Sequence, residues 1–213
     1  MDHDETLSAL LAAKVIVVLR GIEKERAIEV AGALERGGIK ALEFALPHGA
    51  EVNQDLVFES IGRVRDHFPG LLVGCGTILS PEEVREAAKS GALFAISPTY
   101  DPEVIKESRR LGLMSIPGAY SPTEIERAYR YGADIVKVFP AGELGPGFFK
   151  ALQGPLGHIP LAAVAGITPD NARSFLEAGA CLLGVSSYIA SPTFSAEKIE
   201  ERARLFLQAL SGA

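Results

Sequence analysis

The sequence predicts a single (β/α)8 barrel, an α/β fold, over residues 1–213 with a short N-terminal helix. Three observations predict it: a helix–glycine–strand phrase that recurs along the chain, helix starts marked by proline, and strands that are apolar on both faces. Strands buried on both sides and separated by helices require a covered parallel sheet. Eight such units in so short a chain fit a small closed barrel better than a doubly wound open sheet, and no linker or low-complexity tract divides them.

The elements follow in order. The first strand is read over Lys14–Arg20, and Glu35-Arg36-Gly37-Gly38 then ends a helix before the second strand, Ala41–Ala45. Leu71–Cys75 is the third. Gly91, Gly112, Gly132 and Gly179 each follow a charged amphipathic segment and precede a short apolar run, giving strands at Leu93–Ile96, Leu113–Ile116, Ile135–Phe139 and Cys181–Leu183. Pro160–Ala165 supplies the seventh strand. Glycine after a helix supplies the left-handed residue that ends it. Ser80-Pro81, Asp101-Pro102, Ser121-Pro122 and Thr168-Pro169 put a capping oxygen before proline at the first helical position.

Composition limits the partners. Hydrophobic residues make up 47% and charged residues 23%, as in ordinary globular proteins, and the formal charge is −6. Without an excess of Lys and Arg the chain is not expected to bind nucleic acid or an anionic membrane. The apolar stretch Leu7–Leu19 is interrupted by Lys14 and is too short to span a bilayer. Cys75 and Cys181 lack metal-ligand spacing and read as small buried hydrophobes, which fits a reducing cytoplasm. No metal or cofactor is expected. His67 and His158 read as surface residues, whereas His48, just after the second strand, is within reach of the barrel mouth.

Barrel chemistry sits at the C-terminal ends of strands, so charged residues inside strands are informative. Lys137 lies between Val136 and Val138, and Glu43 between Leu42 and Phe44. If the apolar neighbours face the helices, both charges face the lumen. Burial there lowers a lysine pKa and makes the neutral, nucleophilic amine available. A carboxylate opposite it could carry protons or neutralise the ammonium. Arg20 ends the first strand, where its planar fork suits a carboxylate or phosphate. Ala165-Gly166 and Ser186-Ser187 close strands seven and eight, whose loops commonly hold phosphate on free amides.

These residues and motifs resemble the 2-keto-3-deoxy-6-phosphogluconate/4-hydroxy-2-oxoglutarate aldolase family, which includes a galactonate-type enzyme. The resemblance rests on Leu42-Glu43, Gly74-Cys75-Gly76-Thr77, Ile96-Ser97-Pro98, Ile116-Pro117-Gly118, Val136–Pro140 and Gly166–Pro169, and covers nearly the whole chain. It implies a class I, metal-independent pyruvate aldolase on a (β/α)8 barrel, usually a homotrimer, acting on a small 2-keto acid. It also implies Lys137 as the Schiff-base lysine, Glu43 as acid–base, Thr77 against the pyruvyl carboxylate, and Pro98 and Phe139 as pocket walls.

The chain departs from the gluconate-type pattern in three places. Ala45-Leu46-Pro47 replaces a Thr-Leu-Arg phrase, so Arg20 is expected to take over the anion contact. Val164 stands where a threonine could read the C4 hydroxyl, so C4 preference is expected to be relaxed or altered. Ala165 and Ser186 replace glycines of the phosphate loops, which keeps unphosphorylated substrates such as 4-hydroxy-2-oxoglutarate in play. A phosphate-sugar isomerase or epimerase using Glu43 as base stays open as the alternative chemistry.

Overall fold

The computed structural model describes residues 2–49 and 52–211. Its parallel strands wrap into a barrel in the order β5-β4-β3-β2-β1-β9-β8-β7-β6. They are β1 (Val15–Leu19), β2 (Ala41–Ala45), β3 (Leu72–Gly76), β4 (Phe94–Ile96), β5 (Met114–Ile116), β6 (Gly118–Ala119), β7 (Val136–Val138), β8 (Leu161–Val164) and β9 (Ala180–Val185). The fold is the expected (β/α)8 barrel, with the fifth strand split in two at Pro117. Proline has no N–H to give to a ladder. Accordingly β5 pairs with β4 and β6 with β7, and the chain itself carries the sheet across the break. Bonds to β7 secure the seam: the N–H of Lys137 donates to the Pro117 carbonyl at 2.9 Å, and that of Phe139 to the Ala119 carbonyl at 3.0 Å.

Helix α1 (His3–Ala13) lies under the barrel. The other helices follow the strands: α2 (Ala27–Arg36), α3 (Asp55–His67), α4 (Pro81–Lys89), α5 (Pro102–Arg110), α6 (Pro122–Arg130), α7 (Ala141–Leu156), α8 (Pro169–Glu177) and α9 (Ala196–Ser211). The proline-marked starts form as the sequence predicts. Ser80 and Ser121 each accept a backbone N–H from Glu83 and Glu124, whose carboxylates return the bond. A cap of this kind contributes about 1 kcal/mol. At the helix ends Gly91, Gly112, Gly132 and Gly179 take left-handed φ values between 78° and 106°, and in the first phrase Gly38, not Gly37, does so.

Alternation along the strands separates two cores. Val17, Leu42, Phe44, Val73, Val136 and Val138 pack outward against the helices. Ile16, Ala41, Leu72, Phe94, Ile96, Met114, Ile116, Ala162 and Leu182 fill the lumen, closed from below by Leu10 of α1. Each large side chain buried in this way contributes about 1.5–3 kcal/mol. His3 Nε2 stands 3.3 Å from Asp134 Oδ1, while Asp134 Oδ2 accepts the Ser115 N–H at 2.7 Å, so α1 is tied to the barrel just before β7. Among the described residues no helix is long and apolar enough to cross a membrane.

Candidate active site

Because Leu42 and Phe44 face outward, Glu43 faces the lumen, and the same logic turns Lys137 inward between Val136 and Val138. Four steps round the sheet separate β2 from β7 in either direction, counting β5 and β6 as one, so the two side chains approach from opposite walls. Both are almost fully buried, Glu43 at 3% and Lys137 at 4% exposure. The floor beneath them is apolar: Ile16, Ile96, Ile116, Ala162 and Leu182 surround the space below Glu43.

This setting moves both protonation equilibria toward neutrality. Burial pushes the Glu43 carboxyl above the ordinary glutamate value, partly opposed by the positive charges of Lys137 and Arg20. Burial likewise holds the Lys137 amine below the ordinary lysine value; Glu43 works against that shift and Arg20 adds to it. The Lys137 Nζ lies 4.7 Å from the centroid of the Phe139 ring. An ammonium over an aromatic face gains about 0.5–2 kcal/mol, which offsets part of the burial effect. Glu43 Oε2 has no hydrogen-bond partner among the described residues. Native proteins seldom leave a buried carboxylate oxygen unmatched, and groups so perturbed concentrate at reactive sites.

Above the pair, at the C-terminal ends of the strands, opens a cavity of about 570 Å³. Of the residues singled out from sequence, Arg20, Phe139, Val164, Ala165, Gly166, Ser186 and Ser187 line it. Arg20 is exposed and makes no hydrogen bond or ion pair among the described residues, so its fork is available to an anion. Val164 belongs both to this cavity and to the apolar floor below it. The N–H groups of Gly166, Ile167, Ser186 and Ser187 donate to no acceptor among the described residues. Ala165 holds a left-handed φ of 73°, as does Gly166. The Ser186 hydroxyl is already engaged, donating to the Val18 carbonyl at 3.1 Å.

Two expected residues stand apart from this cavity. Pro98 lines a neighbouring one of about 240 Å³ with Tyr100, Gly118 and Tyr120, and Phe139 is the wall common to both. Thr77 is half-buried at the end of β3 with a left-handed φ of 60°. A ring nitrogen of His48 lies 2.7 Å from the Thr77 carbonyl oxygen, and neither residue lines the main cavity. Val18, Ile167, Thr168, Gly184 and Tyr188 complete the main cavity; Ile167 and Thr168 belong to the Gly166–Pro169 motif and Gly184 to the run that closes strand eight, whereas Val18 and Tyr188 had not stood out in the sequence. Their residue types are ordinary for strand ends and turns, and only barrel closure brings them together. Cys75 is buried facing the helices, where burial and then the nearby charges of Glu43 and Glu83 push its thiol pKa well up, and Cys181 is half-buried with its thiol on the Leu161 carbonyl. No group of three metal-ligating side chains occurs among the described residues.

A barrel with this buried Lys and Glu invites comparison with known proteins. The family described as KDPG and KHG aldolase matches residues 7–204. The chain belongs to the KDPG and KHG aldolase family. A probable 2-dehydro-3-deoxy-6-phosphogalactonate aldolase of Rhizobium meliloti is 34% identical over 89% of this chain and 87% of its own. A native KDPGal structure superposes with a TM-score of 0.86 at 31% identity, covering 93% of this chain and 94% of that one. KDPG aldolase from Legionella pneumophila, with pyruvate captured as a covalent carbinolamine intermediate, superposes with a TM-score of 0.80 at 25% identity over 97% of both chains. Membership in the KDPG and KHG aldolase family makes this protein an enzyme, a lyase of the class I, Schiff-base type.

Proposed function

We propose that this aldolase cleaves 2-keto-3-deoxy-6-phosphogluconate to pyruvate and glyceraldehyde 3-phosphate and 4-hydroxy-2-oxoglutarate to pyruvate and glyoxylate, with Lys137 as the imine-forming amine and Glu43 as the proton carrier. The observation that carries this reading is the pairing of a buried, easily neutralised Lys137 with a buried, easily protonated Glu43 below an open cavity. An ordinary lysine is almost wholly ammonium at neutral pH, and burial, which lowers the Lys137 pKa, raises the share of the neutral, nucleophilic amine.

The steps follow from that arrangement. Neutral Lys137 attacks the C2 ketone, and Glu43 relays the protons as the carbinolamine loses water to the iminium. The C3–C4 electron pair flows into the iminium while the C4 hydroxyl loses its proton, releasing the aldehyde and leaving an enamine on Lys137. Protonation at C3 and hydrolysis then return pyruvate and the free amine. Arg20 and Thr77 are assigned to the carboxylate of the keto acid, and Pro98 and Phe139 to the pocket walls. The unpaired amides of Gly166, Ile167, Ser186 and Ser187 are assigned to the phosphate tail, since backbone N–H groups hold anions well. Residues 1–213 act as one domain in a cytoplasmic homotrimer, and the exposed Leu79, Tyr120, Tyr129 and Tyr131 offer apolar surface that a subunit contact would cover.

A third substrate is favoured by one residue. Val164 offers no hydrogen bond to a C4 hydroxyl, so 2-keto-3-deoxy-6-phosphogalactonate, the C4 epimer, is accepted as well. Side-by-side cleavage assays with the gluconate epimer, the galactonate epimer and 4-hydroxy-2-oxoglutarate test these assignments. The expected result is turnover of both phosphorylated epimers, with the shorter acid slower. Strict rejection of the galactonate epimer would refute the role given to Val164, and no cleavage of any of the three would refute the substrate assignment as a whole.

A further inference from the structure

The lumen face of β3 is unusual in its sizes. Positions 72, 74 and 76 point inward, and above Leu72 both are glycine. What fills the space differs at the two. A Cβ built on Gly74 would fall 2.1 Å from the Phe94 ring, part of the packed floor. A Cβ built on Gly76 would fall 2.3 Å from Glu43 Oε1, 2.6 Å from its Cδ and 3.1 Å from Oε2. Glu43 pairs in register with Gly74, so its carboxylate reaches along the neighbouring strand to rest over Gly76.

We propose that Gly76 is a positioning residue for Glu43: its missing side chain is the place the carboxylate occupies at the top of the lumen. The proposal rests on the reading of Glu43 as the proton carrier. Gly76 does not hold a left-handed φ, so its backbone accepts alanine without conformational strain. The atoms that alanine would meet are the far end of a flexible side chain, and that end can rotate away. By contrast, a Cβ on Gly118 would meet the Pro98 carbonyl oxygen at 2.2 Å, a backbone atom that cannot yield cheaply. Alanine at 76 therefore leaves the barrel standing and displaces the carboxylate.

The experiment is a comparison of Gly76→Ala in two backgrounds, the unsubstituted enzyme and Glu43→Asp, alongside Glu43→Gln. Aspartate draws the carboxylate back by one carbon–carbon bond, about 1.5 Å, and out of the way of a Cβ. The readouts are the rate of imine formation with pyruvate, its pH profile and the thermal midpoint. Gly76→Ala is expected to fold, to slow imine formation by about tenfold or more, and to shift the pH profile toward that of Glu43→Gln. In the Glu43→Asp background the same substitution is expected to cost less than about threefold, the non-additivity that marks two residues sharing one space. Equal losses in both backgrounds, an unslowed Gly76→Ala enzyme, or a Gly76→Ala chain that does not fold would each overturn the proposal while leaving Glu43 its role. An active Glu43→Gln enzyme would instead remove the reading of Glu43, and the inference with it.

Discussion

The lower and upper halves of the lumen are built on the same strands and reach opposite solutions. Below, Leu10, Ile16, Leu72, Phe94 and Met114 pack against one another, and the ring of Phe94 occupies the space left by Gly74. Above, Gly76 opens the same strand again, but a carboxylate takes the space, one of its oxygens unpartnered, with a buried amine on the far wall. The first half adds stability through apolar burial. The second half holds two groups away from water, where each ionised form is penalised. The difference teaches where this fold keeps its strength and where it gives some up for reactivity.

The largest effect expected from disturbing the upper half is on chemistry. Lys137→Met is expected to abolish imine formation with pyruvate while the far-UV circular dichroism stays that of the barrel. Glu43→Gln should lower turnover by about 10²–10⁴-fold, the range for a positioned acid–base, measured by steady-state cleavage kinetics. Next comes Arg20→Ala, which removes a charge-assisted contact worth about 1.5–3 kcal/mol and so should cost roughly 10- to 150-fold in kcat/KM for the keto acid. Unchanged kinetics would free Arg20 of the anion role.

Stability should move the other way. Glu43 has a raised pKa in the fold, so its contribution is full below the ordinary glutamate range and lost as pH rises through the raised value. Lys137 has a lowered pKa, so its contribution is full above the ordinary lysine range and lost as pH falls through the lowered value. Near neutral pH both penalties act. Replacing both groups, Glu43→Leu with Lys137→Met, removes both burial penalties and is therefore expected to stabilise the barrel by about 1–4 kcal/mol, the range for buried charged groups replaced by apolar residues. Denaturant titration at pH 7 checks this, and at pH 4 the part of the gain that comes from Glu43 should vanish because its carboxyl is already neutral, while the part from Lys137 persists. The smallest effect is Ala165→Gly. It relieves a left-handed alanine costing about 1–2 kcal/mol but adds the entropy of a glycine, about 0.5–1 kcal/mol, for a net stabilisation of roughly 0.5 kcal/mol.

Much of this site was legible in the sequence because strand alternation is a two-state code. Once Val136 and Val138 are assigned to the helices, Lys137 has only the lumen to face, and Leu42 and Phe44 settle Glu43 in the same way. Proline-marked caps and glycine ends located the helices, since their chemistry is local. What depends on distant closure was hidden. Thr168 and Tyr188 meet in one cavity only because β8 and β9 pair, and Pro98 falls into a separate cavity because Phe139 stands between the two. The split of the fifth strand follows from Pro117, visible in the sequence but silent about how the ladder would be carried past it. Gly76 reads in sequence only as a member of the Gly74-Cys75-Gly76-Thr77 motif at the end of the third strand, and its fit to the Glu43 carboxylate of the neighbouring strand appears only in three dimensions.

The central claim is that Lys137 forms the imine, and borohydride trapping with pyruvate followed by peptide mass mapping tests it most directly. The account predicts one reduced pyruvyl adduct per chain, on the peptide carrying Lys137, and none on the Lys137→Met protein. An adduct on another lysine, or none on folded protein that cleaves substrate, would contradict it.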